Sequence, residues 1–434
     1  MTASPDFHLF DTEFGPHLLL ADASRVFAID AGARAELERG AELGPEAGRV
    51  ALASLGLGDR QAAPMEPPLD PPLRSLSLAV AQSCNLGCTY CYAQGGSFGG
   101  KAKPMPGAIG EAAVRRLFAE AAPGESFTLS FLGGEPLAAR ALIRDLTELA
   151  AGLARDKGAA IRFSITTNGT LLQPDDGAFF ERHGFAVTIS LDGVGAVHDR
   201  LRPFKSGRGS FAQIIERARP LLARHLSVSA RVTVTPENLG LRETLDGLAA
   251  LGFASVGFSP ALRSPTGKAE LRSQDFEVLL DQMIACGRDF ESRVAAGQHH
   301  PFANMASAMR EIHRGTHRPY PCGAGAGYFG VSADGAMYAC HRFVDDEAGA
   351  MGQIDMGIDR IRQRQWLEER LVDRQEPCRS CWARYLCGGG CHHEVIARGR
   401  PACDFIRGWL HYCLQAYVRL SIQRPSYFGE LRAS

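Results

Sequence analysis

Three cysteines, Cys84, Cys88 and Cys91, stand in the run SCNLGCTYCY with the spacing C-x3-C-x2-C. A loop this short can turn three thiolates toward one centre, and three is one fewer than a cubane [4Fe-4S] cluster needs. One iron would stay open to a substrate, as a catalytic metal site keeps one position free. A partial zinc site is the plainer reading of the same residues. Seven more cysteines follow: Cys322, then Gly335-x4-Cys340, then Cys378-x2-Cys381-x5-Cys387-x3-Cys391, then Cys403. Such C-x2-C pairs suit a zinc ribbon as well as an iron-sulfur centre. Only Cys286 and Cys413, each in an apolar helical pattern, fall outside the two crowded regions, and a small buried side chain is the common role there. In a reducing compartment, crowding of this kind points to metal and not to disulfides.

The elements that must position these residues are legible in the periodicity. Apolar or β-branched runs recur at 75–80, 127–132, 161–167, 187–191, 228–235 and 255–258, each followed by a helical pattern. Six such units predict an α/β fold, a partial (β/α)6 barrel with a parallel sheet. The first cysteine cluster follows the first strand. GGEP (Gly133, Gly134, Glu135, Pro136), TNGT from Thr167 and LDG from Leu191 follow the next ones, so the polar residues gather at the strands' carboxyl ends. Residues 1–61 read as a small module of short strands and helices, and 62–74 as a proline-rich linker. The barrel is expected over 75–263, a helical bridge over 264–320 and a Cys-rich domain over 321–434, where VSADGAMYA carries a hairpin signal at Asp334-Gly335.

Composition limits the partners. The 434 residues carry 47 Lys and Arg against 48 Asp and Glu, a formal charge of -1, which leaves no broad basic field for nucleic acid or an anionic membrane. No apolar run approaches the ~20 residues of a membrane span, and residues 1–11 lack the pattern of a signal peptide. The expected location is the cytoplasm.

The motif Cys84-x3-Cys88-x2-Cys91, with Tyr90 before the third cysteine, resembles that of the radical S-adenosylmethionine (SAM) enzymes. The resemblance implies a SAM-binding [4Fe-4S] cluster on these three thiolates, with SAM on the open iron, electron donation from the cluster and cleavage to a 5′-deoxyadenosyl radical. It implies that Tyr90 neighbours the adenine and that the backbone of Gly133, Gly134 and Glu135 approaches the methionine amino group. Asn168 and Ser190 fall where this family contacts ribose and carboxylate. Arg231 is the expected carboxylate partner, with Arg200 and Arg202 competing for that role. Glu135 as a helix N-terminal charge and Asp192 as a turn residue are the simpler readings.

The later cysteines match the SPASM extension, C-x9–15-G-x4-C, C-x2-C-x5-C-x3-C and C. By position, Cys322, Cys340 and Cys391 would hold auxiliary cluster I, and Cys378, Cys381, Cys387 and Cys403 auxiliary cluster II. The cysteine that some members place just upstream of the first is missing. Cluster I would then keep an open iron, or be closed by His341, His392, Cys413 or Cys286. The open iron is the favoured expectation.

Together these features resemble the radical SAM maturases of ribosomally made, post-translationally modified peptides. The implied reaction is an oxidative crosslink, thioether or carbon-carbon. Implied partners are a precursor peptide or small protein whose leader docks on residues 1–61 by strand addition, and an electron donor such as flavodoxin or ferredoxin. An anaerobic sulfatase-maturating enzyme, forming formylglycine, is the alternative enzyme reading. A zinc-containing scaffold is the alternative of another class.

Overall fold

The computed structural model describes residues 6–58 and 65–433. Residues 1–5 and 59–64, which include the end of the first expected module and the start of the proline-rich linker, lie outside the described residues. Near the N-terminus, alternating apolar residues make β1 (Phe7–Thr12) and β2 (Gly15–Leu20), joined by two residues, with Gly15 at φ +107° closing the turn. β3 (Arg25–Ala28) pairs with the other edge of β2, so the antiparallel order is β1-β2-β3. The Asp30 carboxylate accepts the Ala33 N–H (2.8 Å) and caps α1 (Ala31–Leu43), and a proline opens α2 (Pro45–Ser54). Phe7, Leu18, Leu20, Leu37, Ala51 and Leu52 form the core of this layer.

The repeating part follows as β4 (Ser75–Gln82), β5 (Lys103–Pro104), α3 (Gly107–Leu117), β6 (Ser126–Gly133), α4 (Arg140–Lys157), β7 (Ala160–Thr167) and α5 (Asp176–Arg182). It continues through β8 (Ala186–Ser190), α6 (Ala196–Leu201), α7 (Phe211–Leu222), β9 (Val228–Val234), α8 (Leu241–Ala250) and β10 (Ser255–Pro260). The six long strands are parallel in the order β10-β9-β8-β7-β6-β4. After α9 (Ser273–Ala295) and α10 (Ala303–His313), β11 (Tyr328–Val331) returns to pair parallel with β4. β12 (Ala336–Tyr338), β13 (Ala350–Gln353) and β14 (Gly357–Ile358) extend the same sheet antiparallel. The chain ends in α11 (Arg360–Arg370), α12 (Arg384–Cys387), α13 (His392–Arg398), α14 (Cys403–Gln423) and α15 (Pro425–Ala433).

The two faces of the parallel sheet are chemically opposite. Leu76, Leu78, Leu129, Phe131, Phe163, Ile165, Val187, Ile189, Val232 and Val234 alternate onto one face and are all buried. The other face carries Ser77, Ser130, Ser164, Thr188, Ser190, Ser229, Thr233 and Ser259 on neighbouring rungs. The Ser164 hydroxyl donates to that of Ser130 at 2.7 Å. An α/β barrel is ordinarily filled by branched apolar side chains, so an inner face of hydroxyls is a surface built for a polar occupant.

Two compact units emerge. One comprises residues 68–275 and 323–367, so the hairpin after Cys322 belongs with the barrel sheet. The other gathers the described residues before Pro68 with 276–322 and 368–433. In this second unit α14 packs on α10, α15 and β1. His8 of β1 stacks on Trp382 (3.9 Å between centroids) and its Nε2 meets His411 Nδ1 at 2.8 Å. Among the described residues no helix is long and apolar enough to cross a membrane.

Candidate functional site

The first cysteine loop leaves β4 at Gln82, and its path is set by backbone crossing. A Cβ on Gly134 would lie 2.1 Å from the Ser83 carbonyl oxygen and 2.8 Å from Gly96 Cα, and one on Gly96 would lie 2.8 Å from Cys84 N. Gly133, at φ +140°, has the Ala81 carbonyl oxygen 2.4 Å from its would-be Cβ. The Gly133-Gly134 pair and Gly96 thus let three backbone segments meet where the cysteines begin. The Gly134 and Glu135 N–H groups donate to Ala81 O (2.8 Å) and Ser83 O (2.9 Å) and lock the crossing.

Glu135 is fully buried. Its carboxylate accepts the Leu137 N–H (3.0 Å), the Thr167 hydroxyl (2.6 Å) and the Asn168 N–H (2.7 Å). It caps the turn after β6 and ties it to the end of β7; burial raises its pKa while these bonds oppose the rise. The Asn168 amide donates to Asn85 Oδ1 (2.9 Å) and reaches Cys84 Sγ (3.6 Å), while its oxygen accepts the Thr170 N–H and hydroxyl. Asn168 thus braces the cysteine loop.

The three thiols share one electrostatic neighbourhood. Burial raises the Cys84 pKa, with Glu135 and Cys91 adding to the rise, and the Leu86 N–H at 3.5 Å opposes it. Cys88 is pushed up to about 12, chiefly by burial, while Arg202 pulls it down and Cys91, Asp192 and Cys84 push it further. Buried thiols that repel one another hold their charge only with a cation between them, and the donor set therefore suits a cationic iron-sulfur core.

Around Cys88 stands a group that sequence reasoning undervalued. Asp192, fully buried, accepts the Tyr90 hydroxyl, Arg202 Nε (2.8 Å) and the Thr233 N–H (2.9 Å). Asn238 holds its carbonyl (2.9 Å), and its own N–H meets His198 Nδ1 (3.3 Å). Arg202 also lies over the Tyr90 ring and within 3.9 Å of Cys88 Sγ. Asp192 is thus far more than a turn residue. Nothing in LDG or in the ten-residue separation from Arg202 signals the contact; only the fold brings them together. Arg231, by contrast, is exposed on the inner face one rung across from Ser190, with Ser259 Oγ as partner. Arg200 is exposed.

Among the later cysteines, Cys378 is pushed up to about 11 by burial; Arg400 lowers it and Cys387, Cys403 and Cys381 raise it. These four therefore lie together in one unit. Cys387 receives the Gly389 and Gly390 N–H groups, and Gly388, Gly389 and Gly390 all have φ between +71° and +93°. Cys322 and Cys391 belong to the same unit and Cys340 to the barrel unit. Cys413 is buried with Sγ 3.9 Å from Met305 Sδ, and Cys286 is equally buried on α9. Among the described residues no three His, Cys, Asp or Glu side chains are set up as a site for a single ion.

The fold agrees with the comparisons. The description of the radical SAM superfamily matches residues 78–280. A cysteine-type anaerobic sulfatase-maturating enzyme of Clostridium perfringens is 33% identical over 366 residues, spanning 80% of this chain and 95% of that one. The serine-type enzyme of Klebsiella aerogenes is 28% identical over 351 residues, 77% and 83% of the two chains. The solved structure of anSMEcpe with bound AdoMet superposes with a TM-score of 0.69 at 22% identity, covering 84% of this chain and 98% of that one. SuiB of Streptococcus suis, solved with its precursor peptide SuiA, gives 0.53 at 15% identity, covering 92% and 97%. The chain belongs to the radical SAM superfamily and, within it, to the SPASM-type maturases that include the anaerobic sulfatase-maturating enzymes. It is a radical SAM oxidoreductase that uses SAM and a [4Fe-4S] cluster.

Proposed function

We propose that this enzyme oxidatively crosslinks a peptide, through a thioether or a carbon-carbon bond, after the peptide's leader has docked on the N-terminal sheet. The observation that carries the reading is the β1-β2-β3 layer, whose β1 edge faces α14 while no described strand pairs with the outer edge of β3. The Ile29 N–H donates to Pro16 O across β2. By alternation, Val26 and Ala28 then direct their backbone groups outward, as strand addition requires. A disordered substrate gives little affinity per contact, and a docked leader raises the core peptide's local concentration at the barrel.

Cys84, Cys88 and Cys91 would hold the SAM-binding cluster. Cys322, Cys340 and Cys391 would hold auxiliary cluster I, and Cys378, Cys381, Cys387 and Cys403 auxiliary cluster II. When bound, the first cluster with SAM supplies a hydrogen-abstracting 5′-deoxyadenosyl radical, fed by an electron donor such as flavodoxin or ferredoxin. The chain's own residues then do the rest. Gly133, Gly134 and Glu135 offer backbone to the methionine amino group, Ser190 and Arg231 receive the carboxylate, and Asn168 and Tyr90 flank the nucleoside. The hydroxyls of the inner face orient a polar peptide segment.

The sulfatase-maturating relatives favour a second reading, oxidation of one Ser or Cys to formylglycine. One experiment separates them. The reconstituted enzyme is given SAM, dithionite and a synthetic peptide carrying Ser and Cys, and the product is treated with a hydrazide. A crosslink leaves no aldehyde to capture; a captured product decides for formylglycine. Ala28→Pro, which removes only an outward N–H, should weaken peptide binding strongly and leave deoxyadenosine formation without peptide unchanged. Unchanged affinity would remove the docking reading, and deoxyadenosine from Cys84→Ala would remove the cluster assignment.

A further inference from the structure

Arg202 is one of three arginines at the barrel's carboxyl end that could bind a carboxylate, and the structure gives it other work. Its side chain is 11% exposed. Nε donates to Asp192 Oδ2 (2.8 Å), Nη1 lies 3.9 Å from Cys88 Sγ, and the guanidinium covers the Tyr90 ring at 5.4 Å. Its carbonyl accepts the Ser210 hydroxyl (2.6 Å), and Ser210 in turn meets His198 Nε2 (3.0 Å). Arg202 is thus pinned at both ends, with its charge shared between one carboxylate and one thiol.

We infer that Arg202 is a positioning residue that sets the charge at Cys88, and that Asp192 is its counterweight, so that the pair tunes how readily the cluster at Cys84, Cys88 and Cys91 accepts its electron. This rests on the reading of Cys88 as a cluster ligand. A hydrogen bond and a positive charge at a ligating sulfur favour the more negative, reduced cluster; a carboxylate favours the oxidised one. The Arg202 guanidinium touches the sulfur, while Asp192 lies behind it, bonded to Arg202 and to Tyr90. The burial that raises the Cys88 pKa makes this local charge felt with little screening.

The two halves of the pair must therefore act in opposite directions. The test uses anaerobically reconstituted full-length enzyme, with the reduction midpoint followed by electron paramagnetic resonance for the cluster whose signal changes when SAM is added. Arg202→Gln leaves Asp192 uncompensated and should lower the midpoint. Asp192→Asn leaves the guanidinium uncompensated and should raise it. The double variant should return close to the parent, and Arg202→Lys should fall less than Arg202→Gln. Shifts of the same sign in the two single variants, or unmoved midpoints with full iron, would overturn the inference. Should Arg202→Gln fail to hold iron, Asp192→Asn decides alone by rising or not. Retention of the SAM-responsive signal in Cys88→Ala would instead refute the underlying ligand assignment.

Discussion

Gly134→Ala is the sharpest probe of why this loop carries two glycines. If they exist only to admit a ligand to bare backbone, a methyl at 134 should cost SAM affinity and little else. The structure predicts a different loss. The added Cβ would sit 2.1 Å from Ser83 O, 2.4 Å from Ser83 C and 2.8 Å from Gly96 Cα, all backbone atoms that no rotamer change can move. Overpacking in a rigid site costs about 1–3 kcal/mol, and with three backbone contacts the upper end applies, about 3 kcal/mol. For a unit of this size that lowers the thermal midpoint by about 6–12 °C. Because Ser83 precedes Cys84, the same shift should also displace the first thiol and reduce iron uptake. Circular dichroism melting of the apo-chain and iron analysis after reconstitution read both effects. Gly152→Ala is the control: its Cβ would meet nothing within 4 Å on α4, so it should gain about 0.5–1 kcal/mol. A Gly134→Ala chain that melts with the parent and binds full iron, yet loses SAM, would refute the backbone-crossing explanation.

Acid should attack the molecule through His198, whose pKa is lowered to about 3, first by burial and then by Arg202. Above about pH 6.5 both folded and unfolded states are neutral there. Below it only the unfolded state binds the proton, so stability falls by about 1.4 kcal/mol per pH unit until about pH 3. His198→Gln should flatten that slope by roughly one proton in urea titrations at several pH values; an unchanged slope would show that His198 is not the group. Cys413→Ala and Cys286→Ala should keep full iron content in iron analysis, because both thiols are enclosed in helix packing. Loss of about four iron atoms from either would place the missing ligand of auxiliary cluster I there.

The six parallel strands were legible because each is a run of alternating or β-branched apolar residues, and the observed ends lie within a few residues of those expected. The same periodicity shows why the inner face was not. Ser130, Ser164, Thr188 and Ser229 read as polar interruptions until register places them on one surface. The grouping of Cys84, Cys88 and Cys91 was legible too, since residues on one short loop leave a local pattern. What escaped was non-local: the meeting of Tyr90, Asp192 and Arg202, the crossing of Gly96 with Gly134, and the return of β11 to the edge of β4 after an interval of helices. No window of sequence contains these contacts.

A division of labour follows from that contrast. Glu135, Asn168 and the glycines hold the first cysteine loop by backbone crossing and by hydrogen bonds to a buried carboxylate, a scaffold that needs no ligand to form. Arg202 and Asp192 add a buried, balanced charge pair beside one thiol of that loop, where substitution of either partner leaves an uncompensated charge. On the inner face Arg231 is exposed and Ser190 and Ser259 are half-buried, within reach of a small molecule bound there. Substitutions of Arg202 or Asp192 should therefore change the cluster's potential, and substitutions of Ser190, Arg231 or Ser259 should change affinity for SAM or peptide with the cluster intact.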